Sequence, residues 1–310
     1  MTYNEFKIKV YNIISKRLPP DTTVHLQRVY KNNGLVLDGL IFISANCAIA
    51  PTIYLNYYYE NRDIFPSLDM ICDDILRAYK NKKTPESVDM RNLTDYEAVR
   101  PRLALRLVNY EKNKELLQVL PHVRYLDLAV VFFCLLKLEN ERYATLLVHS
   151  FHMERWNVTV EELYRHALKT TPFLLPYSFC SIQSFLSDAF SRGGNIENIE
   201  NIQIWPQNRG FMPMYVLSNS FQLYGAGCML YPGLLERIAK KLDADLFLLP
   251  SSIHEIVVLP AKTHRQSLRL SQIVTNINHT ELSKDEILSD RVYYYFREQK
   301  ELRICPYIFS

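Results

Sequence analysis

The beginning of the chain has the hydrophobic pattern of an amphipathic helix. Thr2 and Glu5 have the spacing of a capping box, and Pro19-Pro20 would stop a helix that begins there. Between these signals the apolar residues recur every three or four positions, at Phe6, Val10, Ile13, Ile14 and Leu18. This pattern predicts a first helix with one face packed against a core.

Residues 24–43 change to the alternation of apolar and polar positions that is typical of strands. Asn32-Asn33-Gly34 lies in the middle of this stretch and tolerates the positive φ angles of a tight turn. Residues 49–59 continue as an extended segment, and residues 67–80 return to helical spacing. We therefore predict an α-β-β-(β)-α subdomain at residues 1–83.

A larger subdomain is predicted at residues 84–310, and it begins with a capping box at Thr94 and Glu97. We expect a helix from there to about residue 108 and a short helix at residues 109–120. Residues 126–138 and 143–151 are rich in Val, Phe and Leu, so they predict a buried central hairpin. We expect its inward side chains to form the core, namely Leu128, Val130, Phe132, Leu146 and Val148.

The rest of the chain keeps mixing helical and strand patterns. Thr159 and Glu162 cap a helix that ends before Pro172. Residues 173–213 have no clean period, which predicts a surface excursion. The segments after it are strands at residues 214–217, 225–231, 245–249, 255–259 and 291–296, and helices at residues 232–242 and 267–278. The prediction is an α+β fold of mostly antiparallel hairpins with packed helices.

The composition is that of a globular protein and gives no indication of a charged partner. The 310 residues are 48% hydrophobic and 22% charged, which is enough to bury a core without cross-links. Lys plus Arg number 36 and Asp plus Glu number 33, so the formal net charge is only +3. Neither nucleic acid nor a membrane is implied by this balance.

The cysteines and the apolar runs lead us to expect a cytoplasmic protein. None of the six cysteines is close enough to another to form a CxxC motif, so we expect reduced thiols. The first 18 residues lack the continuous apolar segment of a signal peptide. The longest apolar run, residues 126–136, is shorter than the ~20 residues that a membrane helix needs.

The segment from residue 249 to residue 255 offers the best candidates for catalysis. It places hydroxyl, imidazole and carboxyl groups within a few positions, and Asp127 is a possible further acid, so the weak catalytic candidates are Ser251, Ser252, His254, Glu255 and Asp127. Acyl transfer needs a hydrogen bond between the Ser and His side chains and an oxyanion hole, and sequence adjacency provides neither. We expect instead a hairpin corner whose Ser hydroxyls bind turn amides.

No metal or cofactor site is predicted. His149 and His152 are expected on a strand, where residues three positions apart point to opposite faces. The pair His254-Glu255 does not extend to a zinc-protease motif, because residue 258 is Val. The chain has only eight glycines and contains neither phosphate-binding fingerprint.

Two basic clusters remain as candidates for a binding surface. The first would lie on one face of the helix predicted after Thr94 and consists of Arg100, Arg102 and Arg106. The second precedes the last helix and consists of Lys262, Arg265 and Arg269. No aromatic residues are interleaved with these charges to stack on bases, so a nucleic-acid partner is disfavoured and a solvated face is the simpler interpretation.

Several blocks of the sequence resemble an uncharacterised bacterial domain-of-unknown-function family of gut Firmicutes. They occur in order along nearly the whole chain, at residues 49–56 (IAPTIYLN), 107–113 (LVNYEKN), 120–129 (LPHVRYLDLA), 229–233 (MLYPG), 249–255 (LPSSIHE) and 288–293 (LSDRVY). The resemblance implies no activity, because none is assigned to that family.

The absence of catalytic motifs favours a non-catalytic binding or interaction protein, with a protein partner or self-association. The alternative is a hydrolase or nucleotide-handling enzyme that uses residues 251–255 together with Asp127 or Arg102. The two hypotheses differ in whether these side chains converge in a concave pocket.

Overall fold

The computed structural model describes residues 1–44, 50–81, 93–139, 142–190, 199, 213–261 and 267–305. The chain divides into two compact units, Met1–Arg91 and Asn92–Ser310. Both units combine helices with antiparallel sheets, so the predicted α+β class is confirmed.

The first unit contains a three-stranded antiparallel sheet in the order β1-β2-β3. Its elements are α1 (Tyr3–Arg17), β1 (Thr22–Tyr30), β2 (Val36–Ser44), β3 (Thr52–Tyr54), α2 (Leu55–Glu60) and α3 (Leu68–Asn81). The capping box at Thr2 is present, and Asn33 adopts the positive φ of 57° that the β1–β2 turn requires. The predicted first helix and hairpin are confirmed.

The extended segment predicted at residues 49–59 is wrong over most of its length. Only Thr52–Tyr54 pairs with β2, and the chain then forms α2. Leu55 and Tyr58 lie one helical turn apart and are both buried in the core of this unit. A helix can bury both of these side chains, whereas a strand would point them to opposite faces.

The second unit contains two antiparallel sheets. Its first elements are α4 (Tyr96–Val99), β4 (Leu103–Asn109), α5 (Lys114–Leu117), β5 (His122–Tyr125), β6 (Leu128–Glu139), β7 (Arg142–Leu147), α6 (Ser150–Trp156) and α7 (Val160–Leu174). Strand β6 is the centre of the four-stranded sheet and pairs with β4, β5 and β7. Leu128, Val130, Phe132 and Val148 are fully buried as predicted, but Leu146 is only partly buried. The hairpin of β6 and β7 is confirmed, although its second strand ends at Leu147 and not at residue 151.

The six-stranded sheet has the order β13-β12-β10-β11-β9-β8. The elements that complete the unit are β8 (Tyr177–Ser181), α8 (Ile182–Phe190), β9 (Tyr215–Asn219), α9 (Leu234–Leu242), β10 (Asp245–Leu249), β11 (Ile256–Ala261), α10 (Ser267–Thr280), β12 (Tyr293–Phe296) and β13 (Glu301–Ile304). Side chains of both sheets contribute to one large hydrophobic core.

The helix predicted from Thr94 to residue 108 is wrong. The helix α4 is only one turn long, Pro101 follows in a short 3-10 turn, and the chain then forms β4. Pairing with β6 buries β4 on both faces, which outweighs the weak helical preference of its Leu, Ala and Arg residues. The Leu105 amide at the free edge of β4 donates to the Thr171 hydroxyl of α7, at 3.1 Å.

The surface excursion predicted at residues 173–213 is wrong for its first part, which contains a strand of the six-stranded sheet. Strand β8 pairs with β9, and Phe179 on β8 is fully buried. Residues 191–198 and 200–212 lie outside the described residues. The first part of this segment is therefore core structure.

The strand predicted at residues 225–231 is a buried 3-10 helix, Gly225–Leu230. Tyr224 precedes it in the left-handed conformation, with φ of 53°. A Cβ atom at Gly225 would lie 2.1 Å from Ser218 Oγ and 2.3 Å from the His254 carbonyl oxygen. Only glycine allows the backbone to approach this closely.

The search for membrane spans, made over the described part of the chain, found no helix long and apolar enough to cross a bilayer.

Candidate functional site

Three segments of the second unit meet at the corner that connects β10 to β11. Backbone hydrogen bonds join Leu288 to the Ser251 carbonyl at 2.7 Å and Ile253 to the Glu286 carbonyl at 2.9 Å. On the other side, the Ala226 amide donates to the Ile253 carbonyl at 3.2 Å. Backbone hydrogen bonds to two other segments, one on each side, thus hold the candidate catalytic segment in place.

Ser252 is almost fully buried, and its hydroxyl is committed to the corner. The Ser252 Oγ accepts the His254 amide at 3.0 Å and hydrogen-bonds to the Glu255 carboxyl group. Burial raises the pKa of Glu255 above its ordinary value, although the Ser252 hydroxyl and His254 oppose this shift. This arrangement is a turn in which a Ser side chain binds the amide two residues later.

The His254 imidazole is turned toward a different group of residues. Its Nδ1 lies 2.8 Å from the Gln222 carbonyl oxygen, and its ring stacks on Tyr224 with centroids 5.9 Å apart and planes at 15°. The Ser218 hydroxyl donates to the His254 carbonyl at 2.7 Å. The described contacts therefore contain no Ser–imidazole hydrogen bond of the kind that acyl transfer requires.

Tyr224 is the centre of a stack that ends on a guanidinium group. The Arg106 Cζ lies 4.7 Å from the centroid of the Tyr224 ring, on which His254 also stacks. Phe133 of β6 meets Tyr224 edge to face at 5.3 Å. We call Arg106, Tyr224 and His254 the Tyr224 stack, which combines a cation–π contact with aromatic stacking.

Arg106 lies on the face of the four-stranded sheet that points away from the large core. Arg106 of β4 and His122 of β5 are both directly opposite Val131 of β6, so all three side chains share that face. Two small apolar clusters cover the same face, one containing Phe133 and the other Val131. The aliphatic part of the Arg106 side chain therefore lies between apolar side chains.

A second stack of the same three residue types lies on this face. The Arg124 Cζ is 4.4 Å from the centroid of the Tyr110 ring, and the His122 ring is 6.0 Å from Tyr110 at an angle of 55°. The His122 Nδ1 lies 2.9 Å from the Leu120 carbonyl oxygen. We call Arg124, Tyr110 and His122 the Tyr110 stack.

The first of the two basic clusters predicted from the sequence does not form as expected. Arg100 pairs with Glu97 at 3.1 Å, and Arg102 is exposed in the 3-10 turn before β4. Because the predicted helix is wrong, Arg106 is separated from them on a strand. Lys262 and Arg265 lie outside the described residues, as does the side chain of Arg269.

Asp127 belongs to a separate network. Its carboxylate accepts hydrogen bonds from Tyr293 Oη at 2.5 Å and from Ser289 Oγ at 2.7 Å. Burial and the neighbouring Asp127 raise the pKa of Tyr293 well above its ordinary value. This network fastens the β5–β6 turn to β12, and none of its hydrogen bonds involves Ser252 or His254.

The prediction that His149 and His152 point apart is wrong, because they lie at the start of α6 and not on a strand. The His152 Nδ1 accepts the His149 amide at 2.9 Å, and their rings are 5.9 Å apart. Burial lowers the pKa of both imidazoles. Within the described part of the chain, no three His, Cys, Asp or Glu side chains form a group that could hold a metal ion.

The described thiols lie in apolar surroundings. Burial raises the pKa of Cys72 and Cys305 to about 11, and that of Cys134 and Cys228 to about 12. Thiolates are the reactive form of cysteine, so these side chains are inert packing groups at neutral pH.

Sequence reasoning identified Arg106 and His254 but missed Tyr224, which joins them. These three residues are far apart in the sequence, and each comes from a different element or turn. The available signal was Gly225, because glycine permits a close approach between backbone segments.

The second unit is thus an α+β assembly of two antiparallel sheets with a stacked Arg–Tyr–His site at one corner. The model of the family of unknown function DUF5688 matches residues 3–297, and the chain belongs to this family. The comparisons with curated proteins and with solved structures found no match.

Proposed function

We propose that this chain is a non-catalytic binding protein of the cytoplasm and that the Tyr224 stack is part of its binding face. The proposal depends on one observation: the candidate catalytic side chains are bound to neighbouring groups of the fold. Ser252 binds the amide of its own turn, and His254 binds the Gln222 carbonyl and the Tyr224 ring. Side chains committed to these contacts fix the shape of the corner and are not poised for proton transfer.

Exposed aromatic side chains near the stack support a binding role. Phe173 is 86% exposed, Phe221 is 42% exposed and Tyr143 is 47% exposed. The Ser220 amide donates to the Pro176 carbonyl at 2.9 Å, which holds the segments of Phe173 and Phe221 side by side. Aromatic residues and arginine are the side chains most enriched in the centres of protein interfaces.

The cytoplasmic location is supported by the thiols. Cys72, Cys134 and Cys228 are buried and separate, and their raised pKa values keep them protonated. Such cysteines are compatible with a reducing compartment.

A hydrolase or nucleotide-handling enzyme remains the second candidate function, and one observation favours it. Burial raises the pKa of Glu255, and carboxyl groups with raised pKa values serve as general acids in enzymes. In such an enzyme Glu255 would act together with Ser252, to which it is hydrogen-bonded.

The experiment compares three variants of the full chain as bait in a lysate of the native host, with mass spectrometry of captured proteins and small molecules. Phe173→Ala combined with Phe221→Ala removes two exposed side chains of the proposed face. Phe151→Ala is the matched control, since Phe151 is 60% exposed on α6. Ser252→Ala tests the enzyme hypothesis.

We expect the double variant to lose the ligands that the parent chain, Phe151→Ala and Ser252→Ala all retain. If the double variant captures the same set as the parent, the binding face is wrong. If one of the captured small molecules is turned over, and Ser252→Ala lowers that turnover by more than ~100-fold at an unchanged melting temperature, the enzyme hypothesis replaces the binding hypothesis.

A further inference from the structure

Arg106 carries a charge that no carboxylate in the described part of the chain neutralises. Other cations of the fold have acidic partners, such as Lys7 with Asp38 at 2.9 Å and Arg297 with Asp243 at 2.6 Å. The Arg106 guanidinium lies over the Tyr224 ring, and its Nε is shielded from solvent without an acceptor among the described atoms. A shielded guanidinium donor without an acceptor is costly.

The acceptors around the stack are already occupied. The Gln222 carbonyl oxygen is bound by the His254 imidazole, and the His254 carbonyl oxygen is bound by the Ser218 hydroxyl. The Glu255 carboxyl group is held by Ser252, and burial raises its pKa, which disfavours the carboxylate form. These three groups already have partners, which leaves the guanidinium donors of Arg106 available to an acceptor from outside this corner.

We infer that Arg106 binds one oxyanion, a carboxylate or phosphate group, beside the Tyr224 ring. This inference rests on the binding function proposed above and names the chemistry of the ligand. A guanidinium group presents several N–H donors in one plane, which matches the oxygens of both anions. The Tyr224 ring and its neighbour Phe133 hold that plane in position.

The site has the capacity for one anionic group and not for a polyanion. Arg106 is directly opposite Val131, and the clusters on either side of it are apolar. Arg124 is exposed on the same face, but it lies opposite Ala129 of β6, whereas Arg106 lies opposite Val131. The two arginines are therefore not side by side in the sheet. A nucleic-acid strand needs a series of such cations along its backbone.

The test is a titration of the full chain with sodium phosphate, sodium acetate or sodium chloride at matched ionic strength. The signal is the NMR resonance of the Arg106 Nε–H group in protein labelled with ¹⁵N-arginine. We expect a saturable shift with phosphate or acetate, with a midpoint on the order of 10 mM or lower, and no such shift with chloride. Saturation by phosphate alone assigns a phosphate group, and saturation by acetate assigns a carboxylate.

Variants separate a specific site from general electrostatics. Arg106→Gln should weaken the binding of the anion at least about tenfold, followed through the Tyr224 and Gly225 amides. Arg106→Lys keeps the charge but loses the planar donors, and it should weaken binding several-fold in a chain that still folds. Arg124→Gln is the control, because it removes an arginine with the same aromatic contact and should leave the midpoint unchanged.

The inference is overturned if neither anion saturates the shift, or if Arg124→Gln weakens binding as much as Arg106→Gln. Failure of this titration leaves the lysate experiment unaffected, because that experiment depends on Phe173 and Phe221 and not on Arg106. If the double variant loses its ligands in the lysate experiment but the titration shows no anion binding, the proposed binding face is supported and the oxyanion site at Arg106 is rejected.

Discussion

The Tyr224 stack and the Tyr110 stack contain the same three residue types, but the His254 ring lies at 15° to Tyr224 whereas the His122 ring is tilted at 55° to Tyr110. In each, an arginine lies less than 5 Å from a tyrosine ring, a histidine packs on that ring, and the histidine Nδ1 is bound to a backbone carbonyl oxygen. They differ in how they are assembled. The Tyr110 stack joins the residue after β4 to strand β5, within fifteen residues of the chain, and the Tyr224 stack joins a strand, a turn and a hairpin corner.

The environments of the two arginines differ as well. Arg124 is exposed at the edge of the sheet, where water solvates its guanidinium group. Arg106 is set between two apolar clusters, and its Nε is shielded from water. The comparison shows that a cation–aromatic contact by itself identifies no site, since the exposed contact contributes little and water satisfies its donors. Desolvation is the property that makes Arg106 a candidate.

Phe133→Ala is expected to have the largest effect, because it breaks the Tyr224 stack and leaves the Tyr110 stack intact. Phe133 is buried and supports Tyr224 edge to face. Removal of a buried phenylalanine side chain should lower the free energy of unfolding by about 3–5 kcal/mol. Urea denaturation measures this loss, and Phe221→Ala is the exposed control. An effect of Phe133→Ala no larger than that of the control would show that the ring does not support the stack.

Gly225→Ala should move the Tyr224 stack without removing any of its members. The new methyl group would overlap Ser218 Oγ and the His254 carbonyl oxygen, so the 3-10 helix and the corner have to separate. We expect a loss of about 1–3 kcal/mol in the free energy of unfolding. The NMR signals of the His254 ring should shift while those of the His122 ring stay in place. Equal shifts of both rings would contradict the assignment of this glycine to one stack.

Ser252→Ala tests the corner that presents His254. It removes the acceptor of the His254 amide, and we expect a loss of about 1–2 kcal/mol in the free energy of unfolding. Any activity found for the protein should persist. A melting temperature equal to that of the parent would mean that the Ser252 hydroxyl does not stabilise the turn.

Glu255 should make the corner sensitive to pH. Because burial raises its pKa in the folded state, the protonated form is favoured there, and its contribution to stability is complete below the ordinary value of 4.5. This contribution is lost as the pH rises through the raised pKa of the folded state. Glu255→Gln should therefore flatten the decrease in stability above pH 4.5, as measured by urea denaturation at several pH values. An unchanged pH profile in this variant would contradict the raised pKa.

Arg124→Gln should have the smallest effect and completes the comparison. An exposed cation–π contact contributes about 0.5–1 kcal/mol, so the loss in the free energy of unfolding should stay below ~1 kcal/mol. Thermal unfolding at low and at high salt measures it. A larger loss would mean that the Tyr110 stack also depends on a desolvated charge.

Local signals in the sequence predicted much of the fold. The capping boxes at Thr2 and Thr159 mark the starts of α1 and α7, and the Asn33 turn sets the β1–β2 hairpin. The apolar density of residues 126–138 identified β6 as the central strand. Each of these features depends on side chains a few positions apart, which a sequence displays directly.

The errors concern segments whose structure is decided by distant partners. Strand β4 is apolar at every position except Arg106 and Asn109, a run that fits a buried strand or a helix, and the capping box before it favoured the helix. Only the pairing with β6 decides for the strand. The three consecutive tyrosines of β12 show the same dependence on distant partners. They are buried because β10 and β13 flank the strand and aspartates bind two of the hydroxyl groups, those of Tyr293 and Tyr294.

The same distinction between local signals and distant partners applies to the candidate site. The sequence by itself determined that residues 249–255 form a corner rich in polar side chains, because turn chemistry is local. Only the tertiary structure placed Arg106 on Tyr224 and Tyr224 on His254, because this contact requires β4, the 3-10 helix after Tyr224 and the β10–β11 corner to pack together. The burial of the Arg106 Nε follows from that packing, and no pattern along the chain records it.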